Sequence, residues 1–219
     1  MTRRALLVEG YTDTLFIRGV FKVTGIRDVD VTPPKERGAL GNGILNVISL
    51  LPVMLAKLQS GDFDCFGVLV DADYSGLNGG FAQRRQEIAS VLIAAGYSHR
   101  VLIPSHSFGD EYFHPTQIPV HVGIFPDHAS DGMVEHLLSD SIKAGQQSTL
   151  FTYAQTCLAA LPVVLYKHAL HSKKAEIATL LAWQFSPGLD TGIAVKTDVF
   201  DVTQPNFANF VGWLKRVFP

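Results

Sequence analysis

The run CFGVLVDAD (residues 65 to 73) constrains this chain most. Its first six residues carry no charge and show no alternation of polar with apolar positions. A strand of that kind is buried on both faces, so it belongs inside a sheet that other elements cover on each side. It then ends on two carboxylates, Asp71 and Asp73. The run ALLVE (5 to 9) has the same design and ends on Glu9, and HVGIFPD (121 to 127) ends on Asp127. A surface strand does not need that arrangement. A strand that delivers a charged group to a site does.

Between these runs the apolar residues recur at helical spacing. Leu15, Phe16, Gly19, Val20 and Val23 mark a helix that stops at Gly25. Residues 44 to 61 and 79 to 97 read as two more helices, the first kinked at Pro52 and the second closed by Gly96. DVDVT (28 to 32) reads as a strand halted by Pro33 and Pro34. RVLIPS (100 to 105) and HVGIFPD read as further strands with an irregular segment between them. GMVEHLLSDSIK (132 to 143) reads as a short helix capped by Asp131. Strands alternating with helices predict an α/β fold with a mostly parallel, Rossmann-like central sheet and helices on both faces. From about Gly145 helical patterns take over, and GIAVK (192 to 196) is the one candidate strand there. The expected organisation is an α/β core over residues 1–144 and a helical extension over 145–219 packed on it.

The chain is 47% hydrophobic and 17% charged, enough to bury a large core. Its net charge of −2 and pI of about 6.4 give no global basic field, so any contact with nucleic acid is local. The basic pairs Arg3-Arg4, Arg84-Arg85, Lys173-Lys174 and Lys215-Arg216 read as solvated surface. Cys65 and Cys157 lie far apart and outside metal-ligand spacing, which suits a reducing compartment. The two N-terminal arginines precede only ALLV before Glu9, too short for a signal-peptide core. The longest apolar stretch is broken by Asn46, Ser49 and Pro52 and falls short of the ~20 residues a membrane span needs. A soluble, cytoplasmic chain is expected.

In open parallel sheets ligands bind beyond the carboxyl ends of the strands, where Glu9, Asp71, Asp73 and Asp127 fall. On an extended chain Asp71 and Asp73 point the same way, ~6.6 Å apart. Carboxylates that close resist ionising together, and a divalent cation resolves the conflict. Oxygen-only donors select magnesium or manganese over zinc. Gly10 and Gly76 let the backbone turn tightly or approach a ligand. Asp13 caps or orients the first helical turn, or else supports Glu9. Each acid also has a plain reading as a helix cap, Asp73 above all because a turn follows it. GALGNG (38 to 43) lacks the Lys-Ser/Thr ending of a phosphate-binding loop and reads as a turn. The scattered histidines match no metal motif, with His128 giving the one weak hint, and Trp183 and Trp213 read as core.

VEGYTD followed by VLVDADYSG resembles the Toprim domain, the E-G-x-x-D and D-x-D-x-x-G pattern of topoisomerases, bacterial primases, recombination factors and OLD-family nucleases. GIFPDHASDGMVEHLL resembles stand-alone Toprim-related proteins of uncharacterised function close to the OLD nucleases. The resemblance covers roughly residues 4 to 140. It implies a Toprim-like fold, with Glu9 as a metal ligand or general acid–base group and Asp71 and Asp73 as magnesium ligands. It places Glu135, with Asp127 or Asp131, at a second metal position. It also implies a lysine beyond the core, Lys173 or Lys174, facing a phosphate, against a plain reading as solvated surface. Glu135 equally reads as a charge that offsets its helix dipole.

The expected function is magnesium- or manganese-dependent phosphoryl transfer on a phosphodiester, nucleic acid above all, with Glu9, Glu135 and Lys173 as the catalytic set. No tyrosine stands out as a topoisomerase nucleophile, and no ATPase half accompanies the pattern as in OLD proteins. The rival expectation is a non-catalytic module that binds metal or nucleic acid. A flavodoxin-like phosphoacceptor calls for a lysine at a later strand end, which RVLIPS and HVGIFPD lack. A homo-oligomer and a separate ATPase partner both stay open.

Overall fold

The computed structural model describes residues 3–77, 79–100 and 108–219. Among them the strands are β1 (Arg4–Val8), β2 (Val29–Thr32), β3 (Cys65–Asp71), β4 (Ser98–Arg100), β5 (Asp110–Phe113) and β6 (Val120–Phe125). The α-helices are α1 (Tyr11–Thr24), α2 (Ile44–Gln59), α3 (Phe81–Ala94), α4 (Val134–Asp140), α5 (Gln146–Ala159), α6 (His168–Ala182), α7 (Thr191–Lys196) and α8 (Pro205–Val217).

The strands form one sheet in the order β2-β1-β3-β6-β5-β4. β1 pairs in parallel with β2 and β3, and β3 pairs in parallel with β6. This is the mostly parallel, Rossmann-like α/β sheet with flanking helices that the alternating pattern predicts. The far edge departs from it, because β5 runs antiparallel to both β6 and β4. β5 replaces part of the expected irregular segment, and β4 overlaps the start of the expected strand RVLIPS only at Arg100. Most of the expected strand RVLIPS, residues 101 to 105, lies outside the described residues.

Alternation along each strand divides the core into two layers. Ala5, Leu7, Phe66, Val68 and Val70 face α2 and α3. Leu6, Val8 and Leu69 face α1 and the helices that follow residue 145. The helical extension therefore shares one face of the sheet with α1 and α4. Its aromatic centre joins Phe16, Phe108, Phe125 and Phe210, with ring centroids between 5.1 and 6.0 Å for Phe125–Phe210, Phe108–Phe210 and Phe16–Phe210. Trp213 is 1% exposed, and burial of such a side chain contributes on the order of 2–3 kcal/mol. Trp183, read as core, is instead 39% exposed and lies beside Tyr153.

GIAVK, the candidate strand, lies in α7. Its β-branched composition loses to a strong start signal: the Asp190 carboxylate accepts the Ile193 N–H at 2.8 Å. Tertiary packing then holds the short helix against α1 at Gly19 and Gly192. No helix among the described residues is long and apolar enough to cross a membrane.

Candidate functional site

The chain leaves β1 toward β2 on one side, and β3 lies on the other. Their carboxyl ends thus frame the point where strand order reverses, the usual ligand crevice of an open α/β sheet. Glu9 follows the last residue of β1, and Asp71 ends β3. The Asp71 N–H donates to Glu9 Oε1 at 2.9 Å, tying the two strand ends together. Asp71 Oδ1 in turn accepts the N–H of Val134, the first residue of α4, at 2.9 Å. The head of α1 adds Asp13, whose Oδ2 accepts the Gly10 N–H at 2.8 Å. Gly10 itself is extended and makes no tight turn.

These acids crowd one another. Burial pushes the Glu9 carboxyl up to about 8, and the charges of Asp13 and Asp73 push the same way. Burial pushes Asp13 up to about 6, with Glu135 adding to it. Asp71 rises well above the usual range, first through burial and then through Asp13, Glu9 and Glu135. Glu135 is 5% exposed, and its Oε2 is buried without a hydrogen-bond partner.

One lysine answers this negative charge. Lys174 Nζ stands 3.6 Å from Glu135 Oε1. Glu135 is the main reason its ammonium is held above the usual range, with Asp71 and Asp13 helping. Lys173, one residue earlier, turns to Glu176 on its own helix at 3.0 Å. Adjacent helical residues point about 100° apart, so only one of the pair faces the cluster.

Asp73 is placed differently from its expected position. β3 ends at Asp71, and the backbone at Asp73 adopts a left-handed φ of 58°. Its main chain pairs with Gly132 in both directions, at 2.8 and 2.7 Å. The extended pairing of Asp71 with Asp73 therefore does not form. Asp73 Oδ2 meets Arg84 Nη2 at 3.0 Å, and Arg84 is 4% exposed. The basic pair Arg84-Arg85 is no solvated patch: Arg84 also bonds Glu87, and Arg85 bonds Asp110. Arg84, expected as solvated surface, instead falls on the buried face of α3 with Ile88 and Leu92 at a spacing of four.

Two further acids stand apart from the cluster. Asp127 gives its oxygens to its own turn, accepting from Ala129, Ser130 N and Ser130 Oγ. Asp131 accepts the N–H groups of Ser75 and Phe81, both at 2.8 Å, so it caps the start of α3. The expected cap on α4 is missing because Asp71 occupies that place. Asp131→Ala is expected to cost ~1–2 kcal/mol by urea unfolding, the usual effect of losing a cap. Gly76 has φ 80° in the loop that Asp131 ties down, which a side chain would strain. His128 is a structural group, its Nε2 3.2 Å from Asp110 Oδ2. His106 lies outside the described residues. Unforeseen in sequence, Tyr74 Oη lies 3.2 Å from His136 Nε2 beside the cluster.

The donor set suits a small hard cation. It is all oxygen, its acids are crowded, and Glu135 Oε2 lacks a partner. The side chains do not yet form a closed ring: no group of three His, Cys, Asp or Glu among the described residues has metal-holding geometry. Glu9, Asp71 and Asp13 each spend one oxygen on a backbone N–H and keep the other.

The family model described as "Protein of unknown function (DUF3226)" matches residues 3–219. The chain belongs to the DUF3226 family. No curated protein matches this DUF3226 chain, and no solved structure does. The match runs through both the sheet and the helical extension, so the DUF3226 unit includes Lys174 as well as the strand-end acids.

Proposed function

We propose that this chain is a magnesium- or manganese-dependent phosphoryl-transfer enzyme acting on phosphodiesters, with nucleic acid as its substrate. The observation that carries the reading is the set of buried, mutually repelling carboxylates at the strand switch point, with a lysine held above them. Buried charge of one sign costs stability, and such crowding is characteristic of sites that bind an ion or a reacting group. The Toprim-like order of Glu9, Asp13, Asp71 and Asp73 supports the same reading.

Glu9, Asp71 and Asp73 would hold the first cation and Glu135 a second. Bound there, the ions supply Lewis-acid neutralisation of the scissile phosphate. Lys174 adds a fixed positive charge for the phosphate oxygens, and Glu135 keeps that ammonium in place. Arg84 fixes the Asp73 carboxylate, while Gly132 pairs with the Asp73 backbone. The local cations also offset the weak attraction of a −2 chain for a polyanion.

A second reading is a non-catalytic module that binds metal or nucleic acid. The Arg84–Asp73 ion pair favours it, because it leaves Asp73 already partnered.

The deciding measurement is cleavage of labelled single- and double-stranded DNA and RNA with either metal, beside calorimetric metal binding. Metal-dependent cleavage is expected, and the Asp71→Asn/Asp73→Asn variant is expected to lose it. Metal binding without cleavage would select the second reading. No metal binding at all would remove the enzyme reading and the metal-binding form of the second.

A further inference from the structure

One face of α6 runs past the carboxylate cluster. Leu170, His171, Lys174, Ile177, Ala178 and Leu181 recur at helical spacing along it. Lys174, in the middle, is the lysine at Glu135. Before it, Leu170 and His171 help line a cavity of about 790 Å³ that reaches Asp73 and Arg84. After it, Ile177, Ala178 and Leu181 help line a cavity of about 320 Å³ that reaches Glu135 and the head of α1. The larger hollow thus reaches the cluster at Asp73 and the smaller one at Glu135, with Lys174 between their lining residues on α6.

The walls suit ring systems more than ions. In the larger hollow Leu45 and Leu77 form an apolar side, and Gln83 and Glu87 supply hydrogen-bonding groups. The smaller hollow is mostly aliphatic, with Thr191 at its edge. His171 and Ile177 are six residues apart, ~9 Å along the helix axis. Neighbouring bases in a duplex strand rise only ~3.4 Å. Two bases seated here must be unstacked from each other.

On the phosphoryl-transfer reading above, we propose that α6 provides two nucleoside subsites, one on each side of the reacting phosphate. The substrate class is then an internal phosphodiester of single-stranded nucleic acid, with the phosphate at Lys174 and one base splayed into each hollow. Stacked duplex and terminal phosphomonoesters do not fill both positions.

The test fills each hollow in turn. His171→Trp and Ala178→Trp change exposed positions of α6, and circular dichroism and melting check that each variant folds. With manganese present, kcat/KM is measured for a thymidine dinucleotide and for methyl p-nitrophenyl phosphate, which has no nucleoside. Each variant is expected to lower the dinucleotide-to-methyl-ester ratio at least tenfold. Wild type that hydrolyses both substrates, with a ratio unmoved by either or by one of the substitutions, would overturn the two-sided subsite and leave the enzyme reading intact. Wild type that hydrolyses neither would overturn the enzyme reading, and the subsites with it.

Discussion

Glu9→Gln is expected to reduce metal-dependent phosphodiester hydrolysis at least ~100-fold and to make the metal-free protein more stable at pH 8. The amide keeps an oxygen for the Asp71 N–H, so the tie between β1 and β3 survives. What disappears is a negative charge that the fold buries at a cost. Glu9 would hold the cation that neutralises the transferring phosphoryl group; loosening that cation is worth several kcal/mol of barrier, and each 1.36 kcal/mol is tenfold in rate. Loss of activity with gain of stability is the usual mark of a functional group held under strain.

The pH dependence follows from the same burial. Unfolded, the Glu9 carboxyl titrates near 4.5; folded, it keeps its proton up to about 8. Between those values the folded chain binds more protons, so stability falls as pH rises. Asp13 acts in the same direction between 3.8 and about 6, and Asp71 shifts the same way. Together they are expected to make the metal-free chain several kcal/mol less stable at pH 8 than at pH 5. Asp110 opposes them at the acid end: burial pushes it up, but bonds from His128, Arg85 and His99 prevail and hold it low. Its stabilisation is lost only as pH falls below the usual carboxylate range. Melting curves from pH 5 to 8 should therefore descend steeply for wild type and less so for Glu9→Gln. Manganese should raise the wild-type curve at pH 8 and the variant's far less. A variant that melts below wild type at pH 8 without metal would show that the Glu9 charge is structural.

The sheet was legible because both-face-apolar runs such as CFGVLV admit few other placements, and helical periodicity separated them cleanly. The β4–β5 edge was not, since these strands are three and four residues long and half exposed, and carry almost no pattern. Glu9 and Asp71 could be read as neighbours because each follows directly from a strand end. Asp73 could not be placed, because alternation applies only while the chain is extended and β3 stops two residues earlier. The choice between Lys173 and Lys174 depends on helix phase, which a single-residue error rotates by about 100°. Asp131 was matched to the nearest helix in sequence, whereas the N–H groups it accepts come from Ser75 and Phe81. Caps that act across long sequence separations leave no local signature.

Gly192→Ala is expected to destabilise the fold by ~3 kcal/mol and lower its melting temperature by roughly 6–12 °C. α1 and α7 approach through glycine on both sides. A Cβ on Gly19 would stand 2.4 Å from the Gly192 carbonyl oxygen, and one on Gly192 would stand 2.1 Å from that of Leu15. Both obstacles are backbone, so no side chain can rotate away, and the helices must separate. Gly19→Ala should therefore cost about as much. The double variant should cost less than the sum, because one displacement admits both methyl groups. The separation would also reach the site, since Leu15 and Thr191 border the smaller hollow beside Glu135. Gly212→Ala is the contrasting case. It lies in α8, its Cβ would meet only the Arg216 side chain at 3.8 Å, and it should be neutral or stabilise by ~0.5–1 kcal/mol. If Gly192→Ala melted within a degree of wild type, the two helices would have room to spare, and this contact could not be what seats α7 beside the cluster.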